Sequence, residues 1–374
     1  MIYLCRDDEV LGEMKEKLAT AAAVAAVVIA GAALSGCALG GDSSNSDDFR
    51  GFQSTGPQLP TYWGATIGDQ FTGTAAPWDM RPVVRLEDLV GKRMSLVGFS
   101  NPFADCTGAR CTFIRFPLTP LENVREHGSI PFFSWGSERT PTVLDQPRFR
   151  LRNISDGEFD PFIRQFARGA AAWGQPFFLR LDWEMNGEWF PWAESVNGNR
   201  SGDFVRAWRH IHDIFDSVGA DNVTWVWCPN VSHDKNLGTL YPGDQYVDWT
   251  CLDGFNWGPR PNASGWLSFG KLFRASYQQL RQIAPDKPTI LGEVASSNYG
   301  GNKAAWIHNM LRRIPPGIRG FLWYNANDQG ANWPLELASQ PLAAFRDGIK
   351  DPLFVSNRYG SLTSSPIRPP APGE

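Results

Sequence analysis

Eight short apolar runs, most of them fenced by Gly, Pro or Asn, constrain this chain more than any other feature. They span Tyr62–Gly68, Arg93–Ser100, Ile130–Gly136, Pro176–Trp183, Val223–Asn230, Cys251–Trp257, Pro288–Ala295 and Gly320–Asn325. Runs of this length with this punctuation read as strands. Helical spacing fills many of the gaps, over Phe159–Trp173, Gly202–Val218, Trp266–Ile283 and Ala304–Arg313. Strands alternating with helices argue for an α/β fold, and eight of them over roughly 290 residues fit a (β/α)8 TIM barrel. A doubly wound open sheet is the rival, but no GxGxxG phosphate turn follows the first run. We therefore expect one barrel domain over residues 61–350.

The flanks read differently. Ala19–Leu34 is an almost unbroken apolar run preceded by Lys15 and Lys17. It is too short for a good membrane-spanning helix and has the build of a secretory signal. It ends in Leu34-Ser35-Gly36-Cys37, which resembles a bacterial lipoprotein processing box with Cys37 as the lipidation site. Asp7, Asp8, Glu9 and Glu13 precede the run where positive charge is expected, so Met14 reads as the true start. Residues 1–37 are thus expected to be an export signal. Residues 38–60, rich in Gly, Ser, Asn and Asp, read as a flexible linker, and 351–374 as a Pro-rich tail of unstructured character. The expected location is the cell surface, anchored through Cys37, or the medium after secretion. Membrane contact is expected through the lipid only.

Net charge is −4, which leaves no electrostatic footprint for nucleic acid. Cys106 and Cys111 flank a four-residue loop and suit a disulfide in an exported protein. Cys228 and Cys251 are expected near opposite ends of neighbouring strands, too far apart to bridge. His210 and His212 lie two apart on a helical pattern and do not share a face. No metal or cofactor is expected, and the chain is expected to be a monomer.

In a barrel the chemistry sits at the C-terminal strand ends. The fourth run reads Phe177-Phe178-Leu179-Arg180-Leu181-Asp182-Trp183-Glu184, and strand alternation places Arg180, Asp182 and Glu184 on one side. Charges directed into a barrel are costly unless paired or functional. The seventh run ends Leu291-Gly292-Glu293. Two carboxylates on strands facing each other across the mouth are the machinery of glycoside hydrolysis, one protonating the leaving oxygen and the other attacking the sugar or activating water. Read singly, each Glu is a strand-end ion pair, with Arg180 as the available partner.

The stretch Arg180-Leu181-Asp182-Trp183-Glu184-Met185-Asn186-Gly187-Glu188-Trp189-Phe190-Pro191-Trp192 strongly resembles the acid/base motif of glycoside hydrolase family 26. That family contains β-mannanases, some mixed-linkage β-glucanases and β-1,3-xylanases. The resemblance covers roughly Tyr62 to Ile349 and implies a (β/α)8 barrel with Glu184 as acid/base and Glu293 as nucleophile. Trp183 stands where many members carry His, and Phe255 where a Tyr bonding the nucleophile is often seen. Both departures remove polar groups beside the two carboxylates. The implied reaction is retaining hydrolysis without a cofactor, with carboxyl groups roughly 5–5.5 Å apart and a glycosyl-enzyme intermediate. Glu184 must then be protonated at rest, its pKa raised by ionised Glu293, while Arg180 holds Glu293 charged.

The chain has 16 Trp against 8 Tyr. Such rings serve core packing or, at a barrel mouth, hold the faces of sugars. Trp183, Trp189, Trp192, Trp257 and Trp323 fall at strand ends or in the loop after the fourth strand, and Trp135 ends the third. Arg180, Asn186 and Asn256 are the expected partners of sugar hydroxyls. The expected substrate is a β-1,4-linked polysaccharide, mannan first. A mixed-linkage or β-1,4-glucan is the alternative. A surface lipoprotein that binds polysaccharide without cutting it is the alternative of another class.

Overall fold

The computed structural model describes residues 58–108, 110–231, 236–260, 264–327, 330–362 and 365–372. The expected export signal, Cys37 and the expected linker up to residue 57 lie outside the described residues. The strands are β1 (Thr61–Ile67), β2 (Leu96–Thr107), β3 (Arg110–Phe113), β4 (Ile130–Thr140), β5 (Phe177–Leu181), β6 (Val223–Trp227), β7 (Trp249–Asn256), β8 (Thr289–Ser296), β9 (Ile318–Asn325) and β10 (Phe354–Val355). Their order is β10-β1-β9-β8-β7-β6-β5-β4-β2-β3, and a further β1–β2 pairing closes the ring. The eight strands β1, β2 and β4–β9 pair in parallel as a closed barrel, as the eight runs predict.

Helices α1 (Arg81–Val90), α2 (Leu118–His127), α3 (Leu151–Ser155), α4 (Asp160–Trp173), α5 (Asp203–Ser217), α6 (Phe269–Ile283), α7 (Lys303–Arg313) and α8 (Ser339–Ile349) occupy the connections. Their ends obey local chemistry. At α4 the C-cap is Gly174 with φ 65°, a left-handed conformation that costs an ordinary residue free energy. At α7 the Asn302 side chain accepts from the Ala305 N–H at 2.9 Å, satisfying one orphan donor.

Strand alternation sorts the apolar residues into two shells. Phe132, Phe178, Val226, Trp249, Ile290 and Leu322 fill the barrel interior. Phe133, Leu179, Leu252, Leu291 and Phe321 face the helices. In-register pairs such as Phe132↔Phe178 and Phe133↔Leu179 keep the shells distinct. Trp135, which sequence position alone left between sugar platform and core, is fully buried and stacks on Phe166 at 4.0 Å. A side chain of this kind, fully buried, contributes on the order of 2–3 kcal/mol.

The fold departs from the expectations in three places. Strand β2 folds back through the short β3 hairpin, in which Cys106 and Cys111 pair across the ladder and form their disulfide. Cys228 and Cys251, expected too far apart, are also bonded, with Cα atoms 4.2 Å apart. The reason is stagger: Val226 pairs with Trp249 and Trp227 with Thr250, so the residue after β6 ends lies beside the third residue of β7. Tilted barrel strands place one strand's end against its neighbour's start. Lastly, the Pro-rich tail is ordered where described. Ile367 is buried against the interior shell, and its carbonyl accepts from Trp249 Nε1 at 2.7 Å while its N–H donates to Thr224 Oγ1 at 2.8 Å.

Candidate active site

Two backbone irregularities aim the carboxylates. Alternation fails after β5: Asp182 and Glu184 adopt φ 39° and 55°, in the left-handed region sparsely used by residues other than Gly. Neighbouring strand ends hold this turn, because the Asp182 N–H donates to the Trp135 carbonyl at 3.0 Å and the Glu184 N–H to the Cys228 carbonyl at 2.7 Å. Asp182 therefore leaves the face expected of it. Its carboxylate turns to Ser137, accepting from the backbone N–H at 2.6 Å and from the hydroxyl at 2.7 Å. Burial raises the Asp182 carboxyl to about 7 against the pull of those bonds.

On β8 the register slips at Gly292: Leu291 pairs with Leu252, but Glu293 pairs with Asp253. Such a bulge re-aims a side chain. Gly292 is also the only residue type that fits. A Cβ there would lie 2.6 Å from Cys251 Sγ and 2.7 Å from Asp253 Oδ1. The Gly before the carboxylate makes room for the groups behind it.

Those groups centre on Arg180. Its guanidinium is buried and donates to Glu293 Oε1 at 2.5 Å, to Asp253 Oδ2 at 2.6 Å and, through Nε, to Ser134 Oγ at 2.8 Å. The Cys228–Cys251 disulfide packs beneath, with Cys228 Sγ 3.2 Å from Asp253 Oδ1. Oxygens of Glu184, Asp253 and Glu293 lie within 4.8 Å of one another, a geometry that also suits a cation. Here the Arg180 guanidinium, ion-paired to Asp253 and Glu293, supplies the balancing positive charge. Cys228, Cys251 and Asp253 cluster similarly, but both sulfurs are spent in the disulfide.

Glu184 is 7% exposed. Its Oε1 accepts from Asn230 Nδ2 at 2.6 Å and its Oε2 from Trp189 Nε1 at 2.5 Å. Burial, then the nearby charge of Glu293, raises its carboxyl to about 7, against the opposing pull of those two donors and Arg180. Asp253 is pushed up by burial and by both glutamates and pulled down by Arg180.

A cleft of about 660 Å³ opens over these groups, lined by Thr66, Ser134, Arg180, Trp183, Glu184, Trp189, Asn230, Trp257 and Glu293 together with Phe99, Phe190, Phe255 and Tyr324. It holds most of the expected cleft residues: Arg180, Trp183, Glu184, Trp189, Trp257 and Glu293. Trp183 also stacks over the Arg180 guanidinium at 5.1 Å. Trp192, Asn256 and Trp323 do not line it. Trp192 is fully buried, stacks on Phe190 at 4.4 Å and donates to the Trp183 carbonyl. Trp323 is buried and donates to the Trp333 carbonyl. Asn256 spends its amide on Ser296 Oγ and the Leu267 N–H. Asn186 stands one step back: its amide bonds both the N–H and the carbonyl of Asn230, and so fixes the residue that touches Glu184.

The sequence reading missed Asn230, Asp253 and Ser134. Asn230 carried a legible sign, a polar residue at the mouth end of an apolar run, whereas Asp253 lies mid-strand in β7. The support under Trp257 was not legible. Its ring meets Trp333 edge-on at 4.7 Å, and Lys303 Nζ binds the carbonyls of Asn332, Trp333 and Pro334.

A family model described as glycosyl hydrolase family 26 matches residues 122–303. Endoglucanase H of Acetivibrio thermocellus is 33% identical over 296 residues, which is 76% of this chain and 30% of that protein. A mannan endo-1,4-beta-mannosidase of Bacillus subtilis is 27% identical over 216 residues, 54% of this chain and 55% of the relative. The chain thus spans well under two thirds of these relatives. Among solved structures, a Bacillus subtilis mannanase superposes with TM-score 0.58 at 20% identity, covering 84% of this chain and 92% of the other, a likeness of fold.

Proposed function

From the match to glycosyl hydrolase family 26 over residues 122–303 we infer that the chain belongs to that family and hydrolyses β-1,4-linked polysaccharide with retention of configuration, mannan being its principal substrate. The observation that carries the reading is the pairing of Glu184 and Glu293. One oxygen of each lies within 4.8 Å of the other, in keeping with the roughly 5–5.5 Å carboxyl separation of retaining enzymes. The two environments differ as the two roles demand. Glu293 is held by the Arg180 guanidinium and attacks the anomeric carbon. Glu184, with its carboxyl raised to about 7, protonates the leaving oxygen and then, ionised, takes the proton from the water that releases the sugar. Trp183, Trp257 and Trp189 supply flat apolar faces for the sugars.

The match to an endoglucanase over 76% of the chain supports a second reading, β-glucan as substrate. Reducing-sugar release from a panel of mannan, mixed-linkage glucan and cellulose separates the two. Product on mannan supports the first, and product on glucan alone replaces it with the second. Binding to these polymers without any product would leave a non-catalytic binding protein. Glu184→Ala and Glu293→Ala should each abolish hydrolysis in folded protein, and near-normal turnover in either overturns the roles. We also propose export as a lipoprotein anchored at Cys37, supported by the apolar run and the Leu34–Cys37 box. Cys37→Ala should move the protein from the membrane fraction to the soluble one.

A further inference from the structure

Glu184 has two oxygens, and each receives one donor from a neighbour. The two neighbours differ in kind. Asn230 is locked, because its backbone N–H and carbonyl are both bonded to the Asn186 amide. Its side-chain amide also carries an acceptor, so it can meet either protonation state of Glu184. Trp189 is 51% exposed, and its indole N–H is a donor only. That N–H matches an ionised Oε2 and opposes a proton placed there. The ring lies against Gly187, where a Cβ would come within 2.5 Å of it, so its position rests on that glycine.

We propose that Trp189 is a positioning residue that acts through Glu184, its indole N–H favouring the ionised carboxylate needed for the second half of the reaction and releasing Oε2 when that oxygen carries the proton. The inference rests on the acid/base role given to Glu184 above. Other charges facing Glu184 are Arg180 from β5, Asp253 from β7 and Glu293 from β8. All are retained when Trp189 is changed, so the indole bond can be read alone.

Trp189→Phe keeps an aromatic ring and removes the donor. The alkaline limb of kcat/KM, where Glu184 must stay protonated, should move up by roughly one pH unit, the size of effect that a hydrogen bond to a charged group carries. An aryl glycoside with a good leaving group needs no acid in its first step and makes base-assisted release limiting. On such a substrate the kcat of the variant should fall several-fold at the pH where the wild type is fastest. A ring serving only as a platform would raise KM and leave the pH limb unmoved, and that result overturns the proposal. The wild-type protein offers a readout that needs no turnover: the Trp189 indole N–H resonance should titrate with the Glu184 carboxyl and lose that titration in Glu184→Gln. An indole signal indifferent to pH in the wild type overturns the proposal even if hydrolysis is normal. Absence of hydrolysis with a titrating indole would instead sink the catalytic reading.

Discussion

At the scale of single residues, the site is a contest between burial and donors. Glu184 sits near 7 because desolvation and Glu293 outweigh Asn230, Trp189 and Arg180. An acid raised in this way is protonated below that pH, so kcat/KM should fall as pH rises through about 7, measurable on soluble polysaccharide. Glu184→Gln should cost about 10²–10⁴ in kcat on natural substrate, the usual contribution of a general acid. Gly292 offers a sharper test of geometry. Gly292→Ala pushes a methyl into Cys251 and Asp253, and should cut activity more than tenfold while circular dichroism shows the barrel retained. The two glutamates and Arg180 were legible in the sequence because strand ends in a barrel announce themselves. The direction of Asp182 was not. Period-two counting assumes an extended chain, and the positive φ at Asp182 turns its carboxylate to Ser137.

At the scale of elements, the strand runs were legible because apolar stretches between Gly and Pro have few other uses. Stagger between neighbours was not, since register depends on closing the whole ring. That is why the Cys228–Cys251 bond escaped the sequence reading. Its position has a mechanical meaning. The ladder between β6 and β7 holds two register pairs, Val226↔Trp249 and Trp227↔Thr250, before pairing resumes at Asn230↔Asp253, and the disulfide spans the gap between them. The paired change Cys228→Ser with Cys251→Ser should lower unfolding stability by about 2–4 kcal/mol, the typical worth of a native disulfide, read as an earlier denaturant midpoint. Because the same bond lies under Asp253 and Arg180, the variant should also lose activity well below its melting temperature.

At the scale of the whole molecule, buried acids set the response to pH. Glu138, Asp182 and Glu184 are each raised to about 7, chiefly by burial. Acids raised by folding contribute stability that is full below their unfolded values and is lost as pH rises through the folded ones. The thermal midpoint should therefore fall between pH 5 and pH 7. Asp182→Asn, which can still accept from the Ser137 N–H, should flatten that fall. Lys303, lowered to about 7 by burial, acts in the opposite sense above that pH, outside this window. The tail bears on the whole molecule too. Trp249 Nε1, Tyr62 Oη and an Arg319 guanidinium N–H each donate to a tail backbone carbonyl, of Ile367, Arg368 and Pro370 in turn. The barrel thus reads this segment by its main chain and one inserted isoleucine, much as a receptor reads a peptide. Tethering gives that peptide a high effective concentration, and cutting the tether converts it into a diffusible ligand. A chain ending at residue 364 should melt earlier yet recover when a synthetic peptide of residues 365–372 is added in excess, with the gain growing as the logarithm of peptide concentration.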